Sequence, residues 1–346
     1  MLRSIFWKPY SRLLIVGDNA GWSVDDDAKD LKNFARKLGI EAHVVRRTPL
    51  NIPQAVHYTS QFSLTFDIYK PKHRISIDYY HGRPETQGSF KKCFEALKKN
   101  HEKVTRVRVS NKEMERLIKS SGIAPEKVMR IPLGIDLGIF KPRTREKRVV
   151  MREKLGIPQE AYTIGSFQKD GTGWDDGAEP KLIKGPDTFL KVIGGMKKEI
   201  PNLWVLLSGP ARGYVKNGLD KMGVPYRHQY LKDSSGVTEL YDALDLYIVT
   251  SREEGGPKAI LESMAKGVPL ITTAVGQAVD LVVDGQNAMI TPTQDVAGLS
   301  KKALEIWRDN ALREALINRG FETARENSFE SQLPLWQQYF RGLIAG

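Results

Sequence analysis

Apolar positions along this chain follow two rhythms, short unbroken runs and stretches spaced three or four residues apart, and the two alternate. SRLLIVGD (residues 11–18) reads as a buried strand ending in Gly-Asp. AKDLKNFARKLGI (28–40) reads as an amphipathic helix stopped at Gly39, and EAHVVRR (41–47) as a second strand. Such a strand–helix–strand unit has the length that a parallel crossover needs. The pattern repeats through strand HRISIDYYHG (73–82), helix SFKKCFEALKKN (89–100), strand KVTRVRVSN (103–111) and helix KEMERLIKSSGI (112–123).

A Pro/Gly-bearing segment and a charged run then interrupt the rhythm over residues 130–160. Alternation starts afresh with strand AYTIGSF (161–167), helix PDTFLKVIGGMKKEI (186–200) and strand NLWVLLSGP (202–210). It continues through short helix TELYDAL (238–244), strand DLYIVTS (245–251), helix KAILESMAKG (258–267) and strand VPLITTAVG (268–276). Residues 294–346 read as two or three helices. Two successive runs of β–α alternation predict two doubly wound α/β domains, with ligands at the carboxyl ends of the strands. No short-period repeat or low-complexity tract is present.

A length of 346 residues agrees with two domains rather than one core. No run is long and apolar enough for a membrane-spanning helix, and the opening apolar stretch is too short for a signal-peptide core. A single cysteine, Cys93, excludes an internal disulfide and fits a reducing compartment, so a cytoplasmic setting is expected. The net charge of +12 is unevenly placed: residues 1–145 hold 28 Lys/Arg against 15 Asp/Glu, the remainder 25 against 26. The basic excess of the first part favours an anionic partner there, either an anionic acceptor or the anionic inner face of a membrane.

The stretch SREEGGPKAILESMAKGVP (251–269) concentrates the candidate chemistry. It follows a buried strand, so Arg252, Glu253 and Glu254 fall in the loop at the strand's carboxyl end. Gly255 and Gly256 permit close backbone approach, and Pro257 suits a first helical position, with Gly267 as the stop. Helix N–H groups there suit phosphate, and the carboxylates of Glu254 and Glu262 are acceptors for hydroxyls. A sugar–diphosphate–ribose molecule offers the complementary order of groups. Spacing alone leaves a plainer reading open, since Glu262 is four residues from both Lys258 and Lys266, as in solvated helix pairs.

The pattern S-x-x-E-G-x6-E, followed by G-x-P and a strand ending in Gly, resembles the Glu-x7-Glu motif of retaining glycosyltransferases of family 4, which have the GT-B fold. RIPLGIDLGIFKP and VSNKEMERLIKSSGIAPEKVMRIP resemble that family's inter-domain join and the end of its first domain. The resemblance implies two Rossmann-like domains facing a central cleft: an acceptor domain over 1–143, a nucleotide-sugar domain over 144–325, and a helix over 326–346 crossing back to the first. It implies transfer of a hexose from a nucleotide sugar, a UDP- or GDP-sugar, with retention and with neither metal nor resident cofactor. The acceptor would be a glycan, a lipid-linked molecule or another acceptor, as in cell-envelope polysaccharide synthesis, and the protein would be peripheral to the membrane.

By the same resemblance Glu254 contacts the donor sugar, Glu262 the ribose, and the backbone of Gly255, Gly256, Pro257, Lys258 and Ala259 the sugar and phosphates. Lys184, in Lys-Gly, matches half of a Gly-Arg…Lys-Gly diphosphate clamp, but Ser166 stands at the arginine position and a long insert follows. Lys169 or Arg252 is left to supply that charge. His81 matches a loop histidine presented to the donor, and Gly21, after Asn19 and Ala20, a glycine loop facing the phosphates. Arg212 and Tyr230 fall near the base or phosphate. Catalysis would rest on Lys184 and the helix start stabilising the departing diphosphate.

Three other classes compete with this reading. A same-fold sugar-nucleotide epimerase is disfavoured by the Glu-x7-Glu helix. A dinucleotide oxidoreductase is disfavoured by the lack of G-x-G-x-x-G. A nucleic-acid-binding protein would use the basic first part, but no aromatic interleaving, zinc or helix-turn-helix signature supports it; a sugar transferase acting on DNA combines the two ideas and stays open.

Overall fold

The computed structural model describes residues 9–17, 23–48, 52–70, 72–173, 175–231 and 236–345. Gly21, with Asn19 and Ala20, lies outside them. The chain divides into two compact units, Met1–Pro132 with Phe329–Gly346, and Leu133–Ser328.

The first unit is built on a parallel sheet of β1 (Arg12–Val16), β2 (Glu41–Val45), β3 (Ala55–Tyr58), β4 (Arg74–Tyr79), β5 (Val104–Val109) and β6 (Val128–Arg130), in the order β2-β1-β3-β4-β5-β6. Helices α1 (Ser23–Lys37), α2 (Gly88–Asn100) and α3 (Lys112–Lys119) connect these strands. Asn111 starts α3 in extended conformation, its Oδ1 accepting from Met114 N at 2.9 Å, which satisfies one of the helix's free donors.

The second unit opens with α4 (Arg145–Leu155), then runs β7 (Tyr162–Phe167), α5 (Pro186–Lys197), β8 (Leu203–Ser208), α6 (Gly213–Met222) and β9 (Tyr226–Gln229). It continues with α7 (Val237–Leu240), β10 (Leu246–Val249), α8 (Ala259–Lys266), β11 (Leu270–Thr273), α9 (Ala278–Leu281) and β12 (Met289–Thr291). Helices α10 (Val296–Arg308) and α11 (Asn310–Glu326) close it. All neighbours in the sheet are parallel, in the order β12-β11-β10-β7-β8-β9. Every residue of β10 and β11 is buried, as a strand covered by helices on both faces requires. Strand order reverses between β7 and β10, where crossovers leave in opposite directions and open a crevice at the carboxyl ends.

The chain then returns to the first unit as α12 (Phe329–Phe340). Trp336, Tyr339 and Phe340 are buried against Leu13, Ile15 and Phe34, so the last helix completes the core begun by the first strand. Tyr339 OH lies 3.3 Å from His57 Nδ1, and His57 Nε2 is 3.2 Å from Asp78 Oδ2. Asp78 also accepts from Tyr80 OH at 2.6 Å, while Arg108 donates to Tyr80 OH at 3.0 Å and to Ile131 O at 3.0 Å. This buried polar network ties β3, β4, β5 and α12 together.

Several elements escape the periodicity. The expected charged run contains α4, whose Arg152 is fully buried. The Arg152 guanidinium donates to Ala161 O at 2.7 Å, Ala243 O at 3.0 Å and Asp245 Oδ2 at 2.6 Å, so a residue that scores as polar faces the core. Strands β3, β6, β9 and β12 have three or four residues each, too few to display a period.

Candidate functional site

At the strand-order reversal of the second unit, β7 ends at Phe167 and β10 at Val249. The segments leaving them are joined at main-chain carbonyls: Arg252 N donates to Ile183 O at 2.8 Å, and the Thr250 side-chain hydroxyl to Gly185 O at 2.9 Å. Gly185 sits at φ 66°, and a Cβ there would come within 1.9 Å of Thr250 O. Only glycine tolerates both conditions, and the close approach is what carries Lys184 to the loop after β10.

Lys184 Nζ stands 2.5 Å from Glu254 Oε1. Ser251 Oγ donates to the same oxygen at 2.9 Å, and Gln168 Nε2 holds Lys184 O at 3.1 Å. Ser251 is itself buried and its carbonyl accepts from Thr273 Oγ1 at 2.6 Å. The two foremost candidates are thus in direct contact, on a frame of four segments.

Beyond Glu254 the backbone turns through Gly255, which is buried, and Gly256. Gln277, fully buried, donates its N–H to Gly255 O at 3.0 Å and accepts from Leu133 N at 2.9 Å, fixing the turn from behind. Helix α8 begins at Ala259 with Lys258 as its cap residue, so Pro257 lies two residues ahead of the helix rather than in its first position. Glu262 N bonds Lys258 O in the first turn, and Pro257 O accepts from Ile260 N at 3.1 Å. Gly267 ends the helix at φ 69°, as expected.

Glu262 is bonded to a buried tyrosine. Tyr241 OH donates to its Oε2 at 2.9 Å, and Tyr241 is fully buried between Phe167 and Tyr247. Burial pushes the Tyr241 hydroxyl far above its ordinary range, with the Glu262 charge adding to the effect, so it remains a donor. Lys266 is turned inside and pairs with Asp242 at 2.8 Å. Of the two lysines four residues from Glu262, Lys266 therefore faces inward to Asp242 rather than lying on the helix surface.

Arg212 lies inside the domain, 1% exposed. Its guanidinium donates to Ser166 O and Ser208 O, each at 2.6 Å, and its Nε is 3.0 Å from Asp170 Oδ1. It braces the carboxyl ends of β7 and β8 from within. Burial raises the Asp170 carboxyl, against the opposing pull of Arg212. Arg252 pairs with Asp187 Oδ2 at 2.5 Å. Lys169 is partly exposed just after β7, and its pKa is lowered by burial. Tyr230, 59% exposed, follows β9, whose His228 is held by Gly209 O at 2.7 Å and has its pKa lowered by burial.

His81 belongs to the first unit, at the carboxyl end of β4, where Gln61 clasps its backbone through both N–H and carbonyl. Its ring packs edge-on to Phe90 at 5.2 Å. Sequence reading missed Gln168, Thr250, Ser251, Tyr241 and Gln277; Ser251 alone stood inside the quoted motif, and the others carry no motif signal.

Residues 179–323 match the family described as glycosyl transferases group 1. A D-inositol 3-phosphate glycosyltransferase of Salinispora arenicola is 25% identical over 211 residues, 56% of this chain and 44% of that protein. The lipopolysaccharide core biosynthesis glycosyltransferase LpsE of Rhizobium meliloti is 29% identical over 121 residues, 35% of this chain and 36% of LpsE. The chain thus spans less than half the length of these curated relatives. Among solved structures, Anabaena Alr3699/HepE in complex with UDP-glucose superposes with a TM-score of 0.76 at 16% identity, covering 96% of this chain and 99% of that one. That likeness runs through both units and shows the fold, GT-B with two Rossmann-like domains.

Proposed function

We propose that the protein is a nucleotide-sugar-dependent hexosyltransferase that acts with retention at the anomeric carbon. The observation that carries this reading is the Lys184–Glu254 contact at the strand-order reversal, beside a glycine turn and the start of α8. The group 1 match over 179–323 and the UDP-glucose bound to a protein of the same fold support it.

In this reading the donor's diphosphate lies against Lys184 and the first N–H groups of α8, where positive charge and the helix dipole favour it. Glu254 accepts from hydroxyls of the donor sugar, and Ser251 sets its rotamer. Glu262 accepts from the ribose diol, oriented by Tyr241. As the anomeric C–O bond breaks, negative charge grows on the diphosphate, and Lys184 stabilises it more strongly than in the ground state. The acceptor oxygen bonds to the anomeric carbon from the face the diphosphate leaves, and its proton passes to the departing phosphate oxygen. His81 is proposed to face the donor, and Tyr230 the base. The basic first part of the chain would hold an anionic acceptor or rest on an anionic membrane surface, from the cytoplasmic side. Among the described residues no helix is long and apolar enough to cross a membrane.

The test is a panel of UDP- and GDP-sugars, read by thermal stabilisation and by hydrolysis, on the wild-type protein and Glu262→Ala. A shift with one donor, diminished in the variant, with an α-linked product from an α-linked donor, supports the reading. No shift with any sugar nucleotide rejects it.

A further inference from the structure

Phe62 and Phe66 are 40% and 69% exposed on a firmly held segment of the first unit. They belong to the 3₁₀ turn Gln61–Thr65 and the residue after it, between β3 and β4. Leu64 and Ile68 take the inward positions and are buried in the core, so neither phenyl ring has a place there. Thr65 Oγ1 donates to Phe62 O at 2.8 Å, Phe66 N to Ser63 O at 3.1 Å and Tyr69 OH to Leu64 O at 3.0 Å. Asp67, beside Phe66, pairs with Lys70 at 2.5 Å, which cancels its charge. An ordered segment thus presents two rings that add nothing to the core, since burial is what stabilises an apolar side chain.

The turn packs on α2, whose outward side is basic. Phe90, Cys93 and Leu97 of α2 are buried, while Lys91, Lys92, Glu95, Lys98 and Lys99 are exposed. Among the described residues none of these four lysines has a carboxylate at ion-pairing distance. Lys98 and Lys99 suit the negative end of a helix dipole, but Lys91 and Lys92 stand near the positive end, and the first turn holds no acid. Helix stability therefore does not account for the set. Lys103, just beyond the helix, lies 5.8 Å from the centre of the Tyr69 ring. Phe62 stacks on Phe90 at 6.2 Å, and Phe90 in turn meets the His81 ring at 5.2 Å. Gln61 accepts from the backbone N–H groups of Tyr80 and His81, so the turn is fixed to the carboxyl end of β4.

We propose that Phe62, Phe66 and the lysines of α2 form a docking surface for an anionic lipid bilayer, the rings entering the interface and the ammonium groups meeting the headgroups. The inference rests on the membrane reading given above, names the surface that serves it, and does not depend on the transferase chemistry. A bilayer fits both halves of the surface: apolar rings gain by leaving water, and lysine stems lie against the apolar boundary while their charges stay at headgroup level. The rings stand on the turn and the charges on the helix, rather than interleaved along one groove as base stacking requires. Docking there brings the carboxyl end of β4, with His81, towards the bilayer, where a lipid-linked acceptor resides.

The experiment is co-sedimentation of the full chain with phosphatidylcholine vesicles, made with and without phosphatidylglycerol, at low and high salt. Wild type is expected on the anionic vesicles alone and to be released by salt. Phe62→Ser combined with Phe66→Ser, and separately Lys98→Gln combined with Lys99→Gln, should each weaken binding by roughly tenfold. Melting temperatures should stay close to that of wild type, and Phe66→Trp should gain fluorescence that brominated lipid chains quench. Vesicle binding that is equal in wild type and both double variants overturns this surface and leaves the membrane reading standing. A wild type that ignores anionic vesicles at low salt overturns both, while UDP binding reports separately on the transferase reading. A wild type that binds single-stranded DNA through these residues, and not vesicles, assigns the surface to nucleic acid and also overturns the proposal.

Discussion

Lys184 and Glu254, separated by 70 residues in sequence, meet at 2.5 Å where the strand order of the second domain reverses. The contact joins a cation suited to phosphate with a carboxylate suited to hydroxyls, and in the proposed function a ligand carrying both groups engages the two. Replacing Lys184 with Ala should lower kcat by roughly 10²- to 10³-fold, as expected for losing a group that stabilises transition-state charge. Melting temperature should change little, because the pair is partly solvated. Steady-state kinetics beside a thermal melt checks both halves of this expectation.

Tyr241→Phe removes one hydroxyl and leaves the aromatic packing against Phe167 and Tyr247. Loss of its bond to Glu262 should raise the KM for the donor by several-fold, corresponding to about 1 kcal/mol, with kcat less affected. Double substitution with Glu262→Ala should add almost nothing beyond Glu262→Ala alone, since the tyrosine acts through the carboxylate. A four-member kinetic cycle reads this coupling.

Gly185→Ala places a methyl group within 1.9 Å of Thr250 O in a left-handed backbone. The loops after β7 and β10 cannot then close on each other, and stability should fall by at least ~2 kcal/mol. Urea unfolding monitored by circular dichroism measures the loss, and donor binding should weaken more than unfolding of the whole chain explains.

Asp78 offers a test by pH. Burial alone would raise its carboxyl, but His57 and Arg108 outweigh this and leave it below its ordinary value. A folded pKa below the unfolded one contributes stability that is present above the unfolded value near 3.8 and is lost as pH falls through the folded value. Asp78→Asn should therefore flatten the acid limb of the stability profile. At neutral pH it should also destabilise by about 3–5 kcal/mol, because Arg108 and His57 lose the buried carboxylate that both face. Denaturation midpoints between neutral and acid pH give both quantities.

The fold was legible where secondary structure is written in local periodicity. LYIV of β10 and LITT of β11 are unbroken apolar or β-branched runs, and α1 and α2 show helical spacing with a clear stop at Gly39. The elements that local pattern failed to show are those whose inward faces are polar or whose length is too short. Arg152 of α4 and His57 of β3 point into the protein, where the guanidinium and the ring nitrogens face groups distant in sequence.

The candidate site divides along the same line. Glu254, Gly255, Gly256 and Glu262 form one contiguous pattern, because a strand end, a tight turn and a helix start must be consecutive in the chain. Lys184 was legible only through its Lys-Gly pair. Whether Glu262 was a surface charge or a held carboxylate depended on Tyr241 and on the inward turn of Lys266, and neither has a spacing that announces it. The same holds for Arg212, a basic residue after a strand by pattern and a buried brace in three dimensions. By itself the sequence determined the alternation of strands and helices and the backbone of the glycine turn, since both follow from neighbours along the chain. Only the tertiary structure decided which charges meet, because ion pairing and burial depend on distances between segments that the sheet order, not the sequence order, brings together.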